Sequence, residues 1–369
     1  MSKDETNKNE INKSEMDKAE TNETEKSKKK NWQKIILIAA AVLAAAFGIV
    51  YFAFQHYYGY SMFVRDDDVE LNYELLSADD AILKGYEGEL ESELDTSQIK
   101  KISEEEAAGT YNLLLLGVDR RDDDWYGNSD SIILVTVNHD TQQIFLTSFM
   151  RDLYAEIPDY GVMKLNVAHA VGGGPLIVET LENTYGVAID NYARVDFNSM
   201  TDIIDALGGV DIEMSDEEAA SANKSIKEMC KLQGKKYKKN KLKSGGKLHL
   251  NGIQAVAYSR IRKVGNSDYE RTERQRKVLT EMIKNEKSLN FREISQLLNQ
   301  VLPLITHNVD QLTMVELIAK LPEMMNYEIV TQRVPFDGMY HSQGEMLVPD
   351  LAETAAKLQE SLYGGKVNE

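Results

Sequence analysis

Tyr111–Phe149, YNLLLLGVDRRDDDWYGNSDSIILVTVNHDTQQIFLTSF, holds three apolar runs separated by polar segments. Tyr111–Val118 is continuous and ends in Asp119, Arg120 and Arg121, while Ser131–Val137 is preceded by Asp130; both read as buried strands. Asn138-His139-Asp140-Thr141 is a turn signal, and Gln143–Phe149 follows as a third strand ending in Met150, Arg151 and Asp152. The second and third strands therefore form a hairpin. All three strand ends deliver charged side chains.

Downstream, Gly172-Gly173-Gly174-Pro175 opens a helix through Tyr185, with proline in its first turn, where a missing N–H costs little. Asn191–Asp196 reads as a strand, Asn198 caps a helix to Leu207, and Gly208-Gly209 stops it before a short strand, Val210–Met214. Strands interleaved with helices indicate an α/β domain with helices on both sheet faces. Residues 224–247 hold ten lysines plus glycines and read as a loop or insertion, a solvated surface more than a contact for an anionic polymer or lipid headgroups. After Asn290, Leu297–Ile305, Thr313–Leu321 and Asp350–Leu362 read as helices and Tyr327–Val334 as a strand. His307 and His341 are isolated and read as surface or core residues, not ligands.

Upstream, Ile35–Phe54 is 20 residues without a charge, enough helix at 1.5 Å per residue to span a bilayer core of about 30 Å. Five lysines lie between Lys26 and Lys34, and Tyr57, Tyr58 and Tyr60 follow the run, so the positive-inside rule puts residues 1–34 in the cytoplasm and the rest outside. A cleaved signal peptide ending at Ala44-Ala45-Ala46 is the alternative, against which the apolar run continues for eight residues. Residues 1–34 form a disordered tail, since almost no apolar side chain is present to bury. Residues 55–108 form an acidic extracellular stalk or small accessory module, with 15 Asp or Glu against four basic residues over 65–106. The single cysteine, Cys230, excludes an intramolecular disulfide and any cysteine-built metal site within one chain.

The net charge is −18, yet Tyr258–Leu279, YSRIRKVGNSDYERTERQRKVL, carries five arginines and two lysines. Such a cluster needs an anionic partner or internal carboxylates. Arg260 and Arg262 are two apart, so an extended backbone presents them on one side, whereas Arg271, Arg274 and Gln275 fall at helical spacing. Guanidinium forks bind phosphate bidentately, and with Arg151 several can neutralise a diphosphate during phosphoryl transfer. Asp119 and Asp130, at the ends of adjacent strands, suit Mg²⁺ completed by phosphate oxygens; taken alone, each is better explained by pairing with a nearby arginine such as Arg120 or Arg121.

Gly117-Val118-Asp119-Arg120, Ser129-Asp130-Ser131, Ser148–Asp152, Lys164–Ala170, Leu207–Asp211, Leu250–Ala255 running into Tyr258–Arg262, and finally Arg271, Arg274 and Gln275 occur in that order. The ordered set resembles the LytR-CpsA-Psr family, membrane-anchored enzymes that move glycopolymers from polyprenyl-pyrophosphate carriers onto peptidoglycan. The resemblance implies a three-layer α-β-α sandwich with a central mixed sheet, preceded by one transmembrane helix. The catalytic domain then covers 109–290, with helices in 291–369 completing it. It implies that Asp119 and Asp130 hold Mg²⁺ or Mn²⁺ and that Arg151, Arg260 and Arg262 grip the pyrophosphate. The resemblance also implies that Lys164, Arg271 and Gln275 line the same site, with Arg120 and Arg274 as further candidates for it. The family often has arginine where this chain has Asn128 and Ala155. The polyprenyl chain of family members lies in an apolar tunnel, for which Leu176, Ile177, Leu181, Ile203, Ile204 and Leu207 are candidates here.

The expected reaction is attack by a peptidoglycan hydroxyl on the phosphorus bearing the glycopolymer, with polyprenyl phosphate leaving and Asp152 or a metal-site aspartate as base. A non-catalytic sensor would keep the arginine pocket without turnover, and a hydrolase of the same lipids would need no sugar acceptor. A nucleic-acid-binding regulator would use the arginines on phosphates, but the expected topology puts them outside the membrane.

Overall fold

The computed structural model of the chain describes residues 58–59, 61–71, 94, 96–119, 126–266, 268–285 and 291–364. Two compact units divide the chain, residues 1–59 and 60–369, and the second holds the fold described below. The expected tail over 1–34 and the apolar run 35–54 lie outside the described residues, among which no helix is long and apolar enough to cross a membrane.

Strands β1 (Met62–Phe63), β2 (Thr110–Asp119), β3 (Asn128–Asn138) and β4 (Gln143–Phe149) lead to the short pairs β5 (Tyr154–Ile157) with β6 (Gly161–Lys164). Then come β7 (Asn191–Asp196), β8 (Val210–Met214), β9 (Gly246–Leu250), β10 (Thr306–His307), β11 (Glu328–Val334), β12 (Tyr340–Gln343) and β13 (Met346–Pro349). Between them run helices α1 (Glu104–Ala107), α2 (Leu165–Tyr185), α3 (Phe197–Ala206), α4 (Asp216–Leu232), α5 (Tyr237–Asn240), α6 (Gly252–Ser259), α7 (Asp268–Asn285), α8 (Phe291–Val301), α9 (Gln311–Met324) and α10 (Leu351–Tyr363).

The middle layer is a seven-stranded mixed sheet in the order β1-β10-β7-β2-β3-β4-β11. β2 pairs parallel with β7, β4 parallel with β11, and β3 runs antiparallel between β2 and β4, as the hairpin pattern predicts. Alternate residues face opposite layers, the period of an extended chain. Leu114, Leu116, Ile132 and Leu134 pack with Ile177 and Leu181 of α2 and Leu358 of α10, whereas Ile133, Val137, Ile144 and Leu146 pack with Met324, Tyr327 and Leu279 on the other side. Each such buried side chain contributes about 1.5–3 kcal/mol relative to exposure.

Two differences from the sequence reading have local causes. α2 starts at Leu165, not at the glycines, and is broken at Gly172 and Gly173, where Gly173 has φ of 60°. Only glycine reaches that region at little cost, and Pro175 then sits in the first turn of the second half. Residues 224–247 are not a loop throughout: α4 runs to Leu232, started by a capping box between Ser215 and Glu218 and held by buried Ala219, Ala222, Ile226 and Met229 at helical spacing. Lastly, residues within 61–71 and 96–108 pack on the domain. Met62 and Phe63 pair with Thr306 and His307, Leu71 and Ile102 pack on the core, and Ile102 N–H donates to the Gly186 carbonyl. The C-terminal segment adds β11 to the sheet as well as helices, and His307 is buried at the opposite edge.

Candidate functional site

The carboxyl ends of β2, β4, β7 and β11 and the amino end of β3 meet at one edge of the sheet, the place where open α/β folds bind ligands. Asp119 is the last residue of β2, opposite Asn128 on β3; its side chain lies outside the described ones, as does Arg120. A register shift at Gly117/Val118 breaks the β2–β3 ladder and leaves Asp130, between Ser129 and Ser131, as the extra residue, as bulges do beside sites. Arg151 and Asp152 follow β4 directly, Lys164 is the N-cap of α2, and Arg260 is the C-cap of α6. α7 brings Asp268, Arg271 and Gln275.

Two carboxylates hold three guanidinium groups. Asp130 Oδ1 lies 2.5 Å from Arg151 Nη1, 3.5 Å from Arg262 Nη2 and 3.7 Å from Arg271 Nη1. Asp268 lies 3.1 Å from Arg151 Nε, 3.2 Å from Arg271 Nη2 and 3.7 Å from Arg262 Nε. Arg271 also donates to the Asp130 carbonyl at 3.1 Å, and Gln275 Nε2 lies 3.5 Å from the same oxygen. Burial opposes ionisation of Asp130, but Arg271, Arg151 and Arg262 outweigh it and hold the carboxyl below its ordinary value. Burial lowers Arg271 to about 10, helped by repulsion from Arg151, and its Nε is buried without a partner. Arg151 is raised: burial works against its charge, yet Asp152, Asp130 and Asp268 prevail. Arg260, whose guanidinium lies 4.2 Å over the Phe197 ring, adds a further cation beside these pairs.

Asp268 is the member that sequence reasoning missed. An aspartate in the first turn of a helix reads as a dipole partner; its signal was the i,i+3 spacing to Arg271. The remaining candidates separate. Asp152 lies 3.4 Å from Arg151 and 3.2 Å from Lys164, which also reaches Glu345 at 3.1 Å. Arg274 does not face the cluster: its donors go to Glu218 at 2.8 Å, Glu270 at 2.7 Å and the carbonyls of Ile261 and Val264. It ties the Arg260–Arg262 segment to α4 and α7. Ala155 is buried in the core from β5, so that position delivers no charge.

Behind the cluster, Asp130, Arg260, Arg262, Arg271, Gln275 and Phe197 border a polar basin of about 450 Å³. Phe197 and Gln275 also border a second, apolar pocket walled by Leu115, Ile133, Val195, Met200, Val278 and Met282. This pocket lies between β7-β2-β3 and helices α3, α6 and α7. Of the six residues expected to wall a tunnel, only Ile204 lines this pocket. Leu176, Ile177 and Leu181 belong to the core on the opposite sheet face, and Ile203 and Leu207 to the packing behind α3. Gly117 keeps the wall thin, since a Cβ there would meet the Ser131 Cβ at 2.9 Å.

His169 of α2, fully buried, supports the approach to β3: its Nδ1 lies 2.8 Å from the Gly127 carbonyl, which accepts the ring proton. Among the described residues no group of three or more His, Cys, Asp or Glu can hold a metal ion.

The sequence model of the LytR_cpsA_psr family matches residues 81–362. The polyisoprenyl-teichoic acid–peptidoglycan teichoic acid transferase TagU of Enterococcus faecalis is 35% identical over 184 residues, 49% of this chain and 55% of that protein. The match thus spans about half the length of that relative. TagU of Bacillus licheniformis is 30% identical over 262 residues, 68% of this chain and 78% of that protein. Among solved structures, B. subtilis TagT is similar with a TM-score of 0.53 at 25% identity, covering 72% of this chain and 95% of that one. TagT bound to LI-WTA gives a TM-score of 0.54 at 26% identity, covering 74% and 97%.

Proposed function

The chain belongs to the LytR-CpsA-Psr family, and on that premise we propose that it is a membrane-anchored phosphotransferase moving a glycopolymer from a polyprenyl-pyrophosphate carrier onto peptidoglycan. The observation that carries this reading is the junction of the arginine-lined basin with the apolar pocket at Phe197 and Gln275. A cationic basin beside an apolar hole fits an amphiphile with a diphosphate at one end and an isoprenoid tail at the other. The names of the relatives, teichoic acid transferases, favour the same reaction class. Anchoring through 35–54 with the domain outside rests on the apolar run and its lysine flank.

Arg151, Arg262, Arg271 and Arg260 bind the diphosphate, and Met200 and Met282 give the tail pocket an adaptable wall. An acceptor hydroxyl forms a bond to the phosphorus carrying the glycopolymer, the bridging P–O bond breaks, and polyprenyl phosphate departs. The arginines bear the charge that develops on the phosphoryl oxygens. Asp130 and Asp268 each face three guanidinium groups, whereas Asp152 faces one arginine and one lysine. Asp152 thus keeps more acceptor capacity and takes the hydroxyl proton. The reading includes Mg²⁺ or Mn²⁺ at Asp119 and Asp130. The donors fit: Asp130 is ionised, its ion pairs converge on Oδ1, and carboxylate with phosphate oxygens are the ligands such ions prefer. When bound, the ion neutralises diphosphate charge.

The test supplies the full chain in detergent with a polyprenyl-pyrophosphate oligosaccharide, Mg²⁺ and peptidoglycan oligomers, and follows products by mass spectrometry. Glycan conjugate that is lost in Asp130→Ala and Arg260→Ala is the expected result. Lipid cleavage without conjugate makes the protein a hydrolase, and binding without either product makes it a sensor.

A further inference from the structure

Residues 224–247 hold ten lysines and a single acidic residue, Glu228, in a chain of net charge −18. All ten lysines are exposed, and among the described residues only Lys235 of them makes an ion pair, 3.8 Å from Asp205. Leu232, the last residue of α4, is 79% exposed where α4 turns toward α5, with Lys231, Lys235 and Lys236 beside it in the chain. A large apolar side chain set among exposed ammonium groups gains nothing from water.

The tip is held in shape. Gly234, with φ of 66°, turns the chain, and the Lys235 N–H donates to the Cys230 carbonyl at 2.9 Å. Asn240 at the end of α5 is tied to α6: its carbonyl accepts from Gln254 at 2.8 Å and its side chain from Asn251 at 2.9 Å. Lysines on such a frame meet a charged surface without first ordering the backbone. The tip also adjoins the site. α4 closes the polar basin with Ser221, Lys224 and Ser225, and its C-cap Gln233 donates to the Asn198 side chain of α3 at 2.8 Å. α3 in turn supplies Met200 and Ile204 to the apolar pocket. Residues 302–304 contact both α3 and β1, and Met62 of β1 comes eight residues after Phe54, the end of the apolar run. A continuous path of contacts thus runs from the strand nearest in sequence to the proposed anchor, through α3, to the basic tip.

We infer that the α4–α5 tip is a second membrane contact, with its lysines on anionic phospholipid headgroups and Leu232 reaching the acyl boundary. Charge complementarity calls for an anionic surface. The exposed leucine selects a bilayer over a soluble polyanion, which offers an apolar side chain nothing. Each lysine near such a surface favours contact about fivefold, and the contact holds α3, one wall of the apolar pocket, near the lipid. The inference takes the anchored reading as its premise for where the bilayer lies and does not depend on the transfer chemistry.

The experiment uses the full chain carrying Leu232→Cys in a Cys230→Ala background, labelled with nitrobenzoxadiazole and reconstituted into phosphatidylcholine nanodiscs with and without phosphatidylglycerol. With phosphatidylglycerol the emission is expected to shift to the blue and brominated acyl chains to quench it, and high salt reverses both. Changing Lys231, Lys235, Lys236 and Lys238 together to Glu abolishes the shift, and changing them to Arg keeps it. A probe at Glu353→Cys, exposed on α10 in the opposite layer, does not respond. Thermal unfolding in detergent checks that each variant is folded. Emission that stays at its aqueous wavelength in both discs overturns the contact and leaves the anchor standing. A shift of equal size without phosphatidylglycerol overturns it too, because the lysines then play no part. Soluble poly(glycerol phosphate) that protects these lysines from acetylation where phosphatidylglycerol does not makes the tip a polymer contact and likewise overturns the inference. A chain that does not enter the discs overturns the anchored reading instead; the labelled chain is then mixed with phosphatidylglycerol vesicles, where the same shift supports the contact and its absence overturns it.

Discussion

Arg271 and Arg274 lie three residues apart on α7 and direct their donors to different partners. Arg271 faces Asp130 and Asp268 in the site, whereas Arg274 is enclosed by Glu218, Glu270 and two carbonyls. Removing one partner of a buried, hydrogen-bonded ion pair leaves the others unsatisfied, so Arg274→Ala is expected to lower unfolding free energy by about 3–5 kcal/mol in urea titration. Lys does not rescue it, because one ammonium cannot span four acceptors held in a guanidinium fork. His169 sets a pH dependence. Burial, the leading cause, lowers it from 6.5 to about 4, with the Gly127 bond opposing. On acidification the unfolded chain takes up this proton first, so stability is full above pH 6.5 and falls as pH drops through the window down to about 4. The loss is on the order of 3 kcal/mol. Urea midpoints at pH 7 and 4.5 should converge in His169→Gln. The sequence placed Arg271 and Arg274 on one helix but not their partners, because a difference of three residues turns the side chain by only part of a face and the neighbours come from elsewhere.

Among elements, α6 is placed by close approach. Gly252 packs so tightly on α3 that a Cβ would lie 2.0 Å from the Thr201 carbonyl oxygen, and its N–H donates to Asp205 at 2.7 Å. Gly252→Ala must therefore push α6 away from α3, which costs about 1–3 kcal/mol as overpacking does. Since α6 ends in Arg260, the same substitution is expected to weaken diphosphate binding in isothermal titration more than a distant substitution of equal stability cost does. The Leu250–Ala255 motif was legible in the sequence, and the structure shows that its Asn251 and Gln254 form a capping box. The docking partner of its glycine was not. α4 is the converse case: ten lysines over 224–247 hid a helix whose apolar positions are few and small, and composition outweighed periodicity there.

For the molecule as a whole, the sheet is completed only by the C-terminal part of the chain. β11 pairs with β4 over seven residues, and Val334, Leu351, Leu358 and Leu362 join the main core. At about 1.5–3 kcal/mol each, these four side chains alone are comparable to the roughly 5–15 kcal/mol by which a domain is stable. A chain ending at Tyr327 is therefore expected to show no cooperative unfolding transition by circular dichroism. Local pattern was enough for the sequence by itself to determine the β2, β3 and β4 strands, the hairpin, the helix-strand alternation and the ordered motifs of the family, since apolar period and turn chemistry act over a few residues. Only the tertiary structure decided that Asp268 shares Arg151, 117 residues away, that Arg271 reaches the Asp130 carbonyl across 141, that the apolar pocket opens on the α3-α6-α7 side of the sheet and not under α2, and that α4 closes the basin. Those contacts join residues that no local period relates, and they exist only once the packed sheet brings its strand ends and α7 to the same edge.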